Sequence, residues 1–154
     1  MKLNYIVIPL VTIAVSVVGG LITGGGMAWY RSIKLPSWTP PGSTIGAVWT
    51  VLFILATISA LIVWNGLPHD TRFQWIVAIF LLNAILNVGW SWLFFGQHFM
   101  GTAVWEAGVL GLTVIALVIL IWPLSILAAL LLVPYAFWVA FATYLTWSVW
   151  RLNL

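Results

Sequence analysis

Five almost uncharged apolar stretches, each about as long as a membrane is thick, constrain this chain more than any other feature. A helix needs about 20 apolar residues to cross a hydrocarbon core of roughly 30 Å. Only 5% of the 154 residues are charged, whereas soluble domains carry about 25%. The sequence therefore predicts an all-α membrane protein, a five-helix transmembrane bundle that forms a single domain over residues 1–154. The helices are expected at approximately 5–23, 45–64, 73–95, 102–122 and 124–150.

The breaks between these spans contain residues that end or begin helices. The run Gly24-Gly25-Gly26 is expected to end the first helix, and Ser43 or Thr44 to cap the second. Pro123 is expected to begin the fifth helix, because proline suits the first helical position. The segment 24–44 is then predicted to be a long loop.

This loop is both stiff and aromatic. It contains KLPSWTPPG at 34–42, and its prolines fix φ near −65° and restrain the residues before them. Such stiffness lowers the entropy cost of holding Trp38 in one place. A flexible linker needs neither feature, so we interpret the loop as a lid over a pocket for a flat, hydrophobic molecule.

Five crossings put the loop 24–44 and the C-terminus on the same side of the membrane. Positive side chains on this side outnumber those on the other, with Arg31, Lys34 and Arg151 against Lys2 and Arg72. This excess favours the side of the loop as cytoplasmic. A first span acting as a cleaved signal peptide is disfavoured, because the apolar run is long and no small-residue cleavage site follows. With no targeting extension visible, we expect a multi-pass protein of a bacterial cell membrane.

Tryptophan is concentrated toward the side of the loop. Of the twelve tryptophans, those expected near this side are Trp29, Trp38, Trp49, Trp90, Trp92, Trp105, Trp147 and Trp150. Those expected near the other side are Trp64, Trp75 and Trp122, with Trp138 near the middle. A belt of interfacial anchors would decorate both edges more evenly. We therefore predict a cavity in the half of the bundle that carries the loop.

Two amides and one carboxylate stand out inside the predicted spans. Asn83 and Asn87 are one helical turn apart in the third span, and Trp90 continues the same face. Their amides either bond neighbouring helices or line the pocket, and both interpretations stay open. Glu106 is expected at headgroup level near a helix N-terminus, in preference to a catalytic or proton-relay role.

Several kinds of site are excluded by what the chain lacks or separates. There is no cysteine, so disulfides and thiolate metal sites are excluded. His69 and His98 fall in loops on opposite sides of the membrane and cannot share a metal ion. Five basic side chains spread over the chain make no nucleic-acid surface. We therefore expect no metal, no resident cofactor and no nucleic-acid partner, and a lipid bilayer around the protein.

Several different aromatic motifs are spread along nearly the whole chain. They are Trp29-Tyr30, KLPSWTPPG at 34–42, Trp49, LLNAILNVGWSWLFFG at 81–96, VPYAFWVAFATYLTW at 133–147 and WRLN at 150–153. With these motifs the sequence resembles the tryptophan-rich sensory protein (TspO/MBR) family, whose mitochondrial members are called translocator protein or peripheral-type benzodiazepine receptor. The resemblance implies a homodimer of five-helix bundles. Its pocket would bind porphyrins such as protoporphyrin IX and haem, as well as benzodiazepines and isoquinoline carboxamides.

The resemblance also assigns roles to individual residues. The ligand-binding positions are carried onto Tyr30, Trp38, Pro40, Trp49, Phe53, Asn83, Asn87, Trp90, Trp138, Ala142 and Leu145. Trp49 and Trp138 match the two tryptophans implicated in the light-dependent breakdown of protoporphyrin IX by bacterial members. Trp147 stands where the mitochondrial sterol-recognition segment has a tyrosine, so sterol binding is not implied.

Two other functions remain alternatives. The first is a transporter that passes porphyrins or other hydrophobic ligands across the bilayer, and the second is a dimeric scaffold. For the scaffold, Gly20-x-x-x-Gly24 and Ala107-x-x-x-Gly111 are candidate helix-packing faces.

Overall fold

The computed structural model describes residues 2–154, which form five long helices. These are α1 (Asn4–Tyr30), α2 (Gly42–Gly66), α3 (Thr71–Ser91), α4 (Met100–Ile121) and α5 (Ile126–Leu152), and a π-helical turn (Trp92–Gly96) continues α3. All five are long and apolar enough to cross a membrane. The prediction of an all-α, multi-pass membrane protein with five spans is confirmed.

The helices form a closed ring in the order α1, α2, α5, α4, α3. Helix α1 packs against α2 and against α3 with its π-helical turn, α2 packs against α5, and α4 packs against both α5 and α3. Helix α1 buries the smallest share of its residues and exposes long apolar side chains such as Leu10, Val17 and Leu21. Its outer face therefore suits contact with lipid.

The two ends of the bundle differ in how they are filled. The closed end, at the turns 67–70 and 122–125, has a solid core that includes Ile76, Leu117, Ile121 and Leu132, all fully buried. The loop end carries residues 31–41, the π-helical turn and the C-terminus. At the closed end, the Arg72 guanidinium donates to the carbonyl of Leu120 at 2.8 Å and so ties α3 to α4.

Helix α1 does not end at its three glycines, so that prediction is wrong. It continues through Gly26 to Tyr30, and the connecting loop is 31–41 instead of 24–44. Each glycine costs a helix about 1 kcal/mol relative to alanine. Within a bilayer, however, a broken helix would leave backbone groups without partners at a cost of several kcal/mol, which favours continuation.

Two predicted helix starts are also wrong. Helix α2 begins after Pro41, and neither Ser43 nor Thr44 makes a capping hydrogen bond. Pro123 lies in the turn before α5, whose N-cap is Ser125 with its hydroxyl accepting from the Ala128 N–H at 3.3 Å. A serine side chain supplies the acceptor that the first turn needs, which a proline cannot do.

The π-helical turn positions two phenylalanines side by side. The Gln97 N–H donates to the carbonyl of Trp92 at 2.8 Å, five residues back, which defines the wider turn. Phe94 and Phe95 are both buried, and they contact the end of α1. Short π-helical turns inside α-helices are frequent at functional sites.

Candidate functional site

A cavity of about 420 Å³ lies at the loop end, and all five helices contribute residues to its lining. This volume falls within the range of roughly 300–1,000 Å³ that is usual for small-molecule sites. Eight aromatic side chains contribute to its walls: Tyr30, Trp49, Phe53, Trp90, Phe94, Phe95, Trp138 and Phe141. The cavity therefore lies in the half of the bundle where the sequence predicted one.

The aromatic rings are arranged in pairs on three different helices. On α3 and its π-helical turn, Trp90 stacks on Phe94 with ring centroids 5.3 Å apart and planes within 7° of parallel. Trp49 lies 5.6 Å from Phe53 on α2, and Trp138 lies 5.2 Å from Phe141 on α5. Flat aromatic walls on three sides favour a guest that is itself flat and aromatic, because ring pairs gain energy beyond simple area burial.

The wall between α1 and α2 consists of small residues. Gly20 on α1 and Gly46 and Thr50 on α2 all line the cavity and are exposed on the outside of the bundle. A Cβ atom added to Gly20 or Gly46 would meet open space. The cavity therefore opens sideways between these two helices, toward the acyl chains of the bilayer.

Few polar groups face the cavity. Besides Asn87, its polar lining consists of the hydroxyl-bearing residues Ser16, Thr23, Tyr30, Thr50, Ser91 and Thr146. The Thr146 hydroxyl already donates to the carbonyl of Ala142 at 2.8 Å. Asn87 donates through Nδ2 to the hydroxyl of Tyr135 at 3.1 Å. An apolar lining with a small number of placed polar groups is typical of a ligand site.

Glu106 is half-buried and does not line the cavity, but both of its carboxyl oxygens are buried. It lies six residues into α4, roughly 9 Å along the helix axis. Neither carboxyl oxygen has a hydrogen-bond partner among residues 2–154, and a Cβ on Gly89 would lie 3.7 Å from Oε1. The carboxylate is therefore turned into the bundle and away from the surroundings of the helix.

Of the eleven residues assigned to ligand binding from the sequence, eight line the cavity. They are Tyr30, Trp49, Phe53, Asn87, Trp90, Trp138, Ala142 and Leu145. The other three, Trp38, Pro40 and Asn83, lie outside the lining. Asn83 is buried deeper in the bundle, where its Nδ2 donates to the Thr113 hydroxyl at 2.8 Å.

The connecting loop lies beside the cavity, and its residues 31–41 contribute no lining side chain. Trp38 stacks on Tyr144 at 5.5 Å and meets Phe141 edge-on at 6.0 Å, on the outer side of α5. Because Phe141 lines the cavity, Trp38 supports the wall from behind. The lid interpretation is thus corrected: only Tyr30 and Gly42, at the two ends of the loop, face the cavity.

Asn153, near the C-terminus, fixes this loop to α5. Its Oδ1 accepts from the Lys34 N–H at 3.0 Å, and its Nδ2 donates to the Lys34 carbonyl at 2.9 Å. The same Nδ2 donates to the Val149 carbonyl at 2.8 Å, which orients the amide on the helix. Sequence reasoning did not assign this role to Asn153, although the residue belongs to the quoted WRLN motif.

Replacing Asn153 by alanine is expected to loosen the loop. Loss of two hydrogen bonds to Lys34 should raise the population of the open loop about tenfold. Cleavage by trypsin after Arg31 and Lys34, measured in proteoliposomes, should accelerate to the same extent. The matched control is Asn65→Ala, which removes an asparagine bonded within α2 at the closed end and should leave cleavage at the loop unchanged. Equal cleavage rates in the two variants would contradict the role given to Asn153.

Other lining residues were not assigned to the cavity from the sequence. Phe94, Phe95 and Phe141 line the cavity, as do the small residues Gly19 and Gly20. The phenylalanines depend on the π-helical turn and on helix rotation, which hydrophobic spans without polar faces do not reveal. The glycines leave room for a guest, and a sequence does not show which glycines face a cavity.

Comparison with known proteins gives consistent matches over the full length. A sequence model of the TspO/MBR family matches residues 6–151. The chain is 35% identical to "Tryptophan-rich protein TspO" of Bacillus cereus, over 99% of both chains. It is 36% identical to "Protein CrtK" of Rhodobacter capsulatus, over 99% of this chain and 95% of the relative. It is also 34% identical to "Translocator protein" of Homo sapiens, over 86% of this chain and 79% of the relative.

Proposed function

The chain belongs to the TspO/MBR family, and we propose that it binds flat, hydrophobic tetrapyrroles in the aromatic cavity and acts as a membrane sensor for them. Protoporphyrin IX and haem are the proposed natural type of ligand, and benzodiazepines and isoquinoline carboxamides are proposed as synthetic ligands of the same cavity. The observation that carries the proposal is the arrangement of aromatic ring pairs on α2, α3 and α5 around one cavity. Such walls hold a planar guest by face and edge contacts.

We propose further that bound protoporphyrin IX is broken down in light. Trp49 and Trp138 both line the cavity, on α2 and α5. An indole in contact with a photoexcited porphyrin donates one electron to it, which leaves an indole radical cation and a porphyrin radical anion. Dioxygen is the oxidant that net breakdown requires. The surrounding apolar walls keep water away from these radicals.

The binding proposal is tested by titrating protoporphyrin IX into the protein in lipid nanodiscs while recording tryptophan emission. Wild-type emission should be quenched saturably, because indole rings surround the site. Gly20→Leu should weaken binding about tenfold or more, roughly 1.4 kcal/mol, because its side chain occupies the open space at this wall. Gly24→Leu is the matched control, one turn along the same helix, where the new side chain also meets open space but lies outside the cavity.

Two outcomes would contradict the binding proposal. One is quenching that rises linearly with porphyrin concentration and never saturates. The other is an equal affinity of Gly20→Leu and Gly24→Leu for protoporphyrin IX, which would place the binding surface elsewhere on the protein.

Transport across the bilayer is the less favoured function. A permeating porphyrin would have to pass the closed end, where Ile76, Leu117 and Ile121 are fully buried in a solid core. Displacing such packed side chains costs several kcal/mol. Saturable accumulation of protoporphyrin IX inside sealed proteoliposomes would nevertheless favour transport over binding.

We also propose that the protein is a homodimer whose loop end faces the cytoplasm. Arg31, Lys34 and Arg151 lie at the loop end, and this positive charge supports the orientation. The pair Ala107 and Gly111 does not supply the dimer contact. Ala107 lines the cavity, and a Cβ on Gly111 would lie 3.4 Å from Val139 of the same chain.

A further inference from the structure

A second apolar depression lies on the outside of the bundle, between α2 and α5. This groove has a volume of about 540 Å³ and is open to the outside. Its lining consists of Ala47, Val48, Val51, Leu52, Pro134, Phe137, Trp138 and Phe141. Among these residues only Trp138 has a polar side-chain atom, and that atom is buried. Because α2 and α5 are both long and apolar enough to span the membrane, the groove suits contact with acyl chains.

Large side chains of the groove are uncovered on both of its helices. Phe137 of α5 is 74% exposed, and Val51 of α2 is 53% exposed. Within a bilayer, association with an apolar surface depends on van der Waals contact. A depression with walls on two helices offers an acyl chain such contacts on two sides, whereas the convex surface of one helix offers them on one side.

The groove continues along α5 toward the loop end. Tyr144 and Arg151 follow Phe137 at steps of seven residues, so all three lie on one face of the helix. Arg151 lies roughly 21 Å beyond Phe137 along the helix axis, at about 1.5 Å per residue. Half of a bilayer of about 40–45 Å, which includes the headgroups, has nearly the same thickness. A lipid whose chain ends beside Phe137 therefore has its headgroup level with Arg151.

Two exposed cations lie at this end of the groove. Asn153 bonds the backbone of Lys34 at 3.0 and 2.9 Å, which holds the lysine beside the last turn of α5, where Arg151 lies. Both cationic side chains are exposed. The two acidic side chains of the chain lie elsewhere, since Asp70 caps α3 at the closed end and the oxygens of Glu106 are buried. This corner therefore suits a group of negative charge.

We propose that the groove and this corner bind one anionic phospholipid of the leaflet at the loop end. One acyl chain lies between α2 and α5, and the phosphate lies beside Lys34 and Arg151. Phosphate oxygens accept charge-assisted hydrogen bonds from lysine and arginine, and cations at the membrane surface attract anionic lipids. The exposed ring of Tyr144 lies between these two levels, where an aromatic side chain with a polar edge suits the membrane interface.

A second copy of this chain is a less suitable occupant of the groove. A two-fold axis along the membrane normal puts the same surface of both copies into one contact. The cations at the loop end of both copies would then meet, and like charges oppose such a contact. The phosphate of a lipid instead complements them.

The proposal is tested by native mass spectrometry of the full chain in dodecyl maltoside, an uncharged detergent. The protein is titrated with dioleoylphosphatidylglycerol or with dioleoylphosphatidylcholine, which have the same acyl chains. Only the first lipid carries a net negative charge. Wild type should bind one phosphatidylglycerol per chain about tenfold more tightly than phosphatidylcholine, as expected from two cations beside the phosphate.

Two pairs of variants separate the headgroup contact from the groove. Lys34→Gln, Arg151→Gln should bind the two lipids about equally, whereas Lys2→Gln, which removes a cation at the opposite end of α1, should keep the preference. Val51→Trp fills the groove, so it should weaken the binding of both lipids about tenfold through lost chain contacts and leave the preference unchanged. Ile58→Trp is its matched control, because Ile58 is exposed two turns along the same face of α2 and lies outside the groove.

Equal affinity of wild type for the two lipids would overturn the inference, and this comparison needs no variant that could disturb folding. An equal loss of preference in Lys2→Gln and in the Lys34, Arg151 variant would overturn the headgroup contact. Equal lipid binding by Val51→Trp and Ile58→Trp would overturn the assignment of the groove. A dimer that forms without lipid and dissociates in Val51→Trp alone would give the groove to a second copy. Displacement of phosphatidylglycerol by equimolar cholesterol would give it to a neutral sterol.

Discussion

The double variant Trp49→Phe, Trp138→Phe is expected to bind protoporphyrin IX and to leave it intact in light. Phenylalanine retains a flat ring, so affinity should fall by less than about tenfold. A benzene ring is far harder to oxidise than an indole, so electron donation from these two positions to the excited porphyrin should stop. The rate of breakdown, followed as loss of porphyrin absorbance under constant illumination in air, should fall to that of porphyrin in empty nanodiscs.

The matched control replaces two tryptophans that lie outside the cavity. Trp105 and Trp147 are exposed on α4 and α5 and do not line the cavity. Trp105→Phe, Trp147→Phe should therefore keep the wild-type rate of breakdown. Trp90 also lines the cavity without belonging to the assigned pair, so Trp90→Phe should keep the wild-type rate if breakdown needs that pair and not simply any indole in the cavity. Undiminished breakdown by the Trp49, Trp138 variant would remove the catalytic part of the proposal and leave binding untouched.

The number of helices could be predicted from the sequence because lipid imposes a length on each apolar span. The ends of the helices could not. The Gly24-Gly25-Gly26 run has low helix propensity, yet α1 continues through it. A bilayer supplies no water to satisfy a broken helix, and the following turn packs Trp29 and Tyr30 against Phe94 at 5.5 and 6.1 Å. Tertiary contacts and the lipid environment therefore determine where α1 ends, and helix propensity alone predicted an end that was too early.

The excess of tryptophan at the loop end indicated the correct half of the bundle, but only some of these tryptophans line the cavity. Trp49, Trp90 and Trp138 line the cavity. Trp38, Trp92, Trp105 and Trp147 are instead exposed on the outside, where indoles suit the membrane interface. Depth along a helix can be read from a sequence of this kind. The rotation of each helix cannot, because spans that are apolar all round have no polar face to orient them.

The two asparagines show why the alternatives for them could not be resolved in advance. Asn83 bonds neighbouring helices through Thr113 and Tyr135 and does not line the cavity. Asn87 bonds Tyr135 and also lines the cavity. Both interpretations thus apply within a single helical turn. The role of each amide depends on where Tyr135 of α5 contacts α3. This is a long-range contact that one sequence does not reveal.

Replacing Gly26 by alanine should strongly destabilise the loop end. A Cβ at this position would lie 2.5 Å from the carbonyl oxygen of Phe95 and 2.7 Å from its Cβ. Both atoms belong to the π-helical turn and cannot rotate away as a flexible side chain would. Overpacking of this kind costs roughly 2–3 kcal/mol, measured as the free energy of unfolding in mixed micelles titrated with dodecyl sulfate. Because Phe95 lines the cavity, its displacement should also weaken ligand binding.

The neighbouring glycine provides a control in which only helix propensity changes. A Cβ at Gly25 meets nothing within 4 Å, and alanine favours a helix by about 1 kcal/mol over glycine. Gly25→Ala should therefore match or slightly exceed the wild type in unfolding free energy. A Gly26→Ala protein as stable as Gly25→Ala would mean that α1 does not approach the π-helical turn this closely. Tyr30 and Met27, which α1 places on the cavity wall, would then have to lie elsewhere. The loss of unfolding free energy in Gly26→Ala therefore tests the position of α1, and the α1 side of the cavity depends on that position.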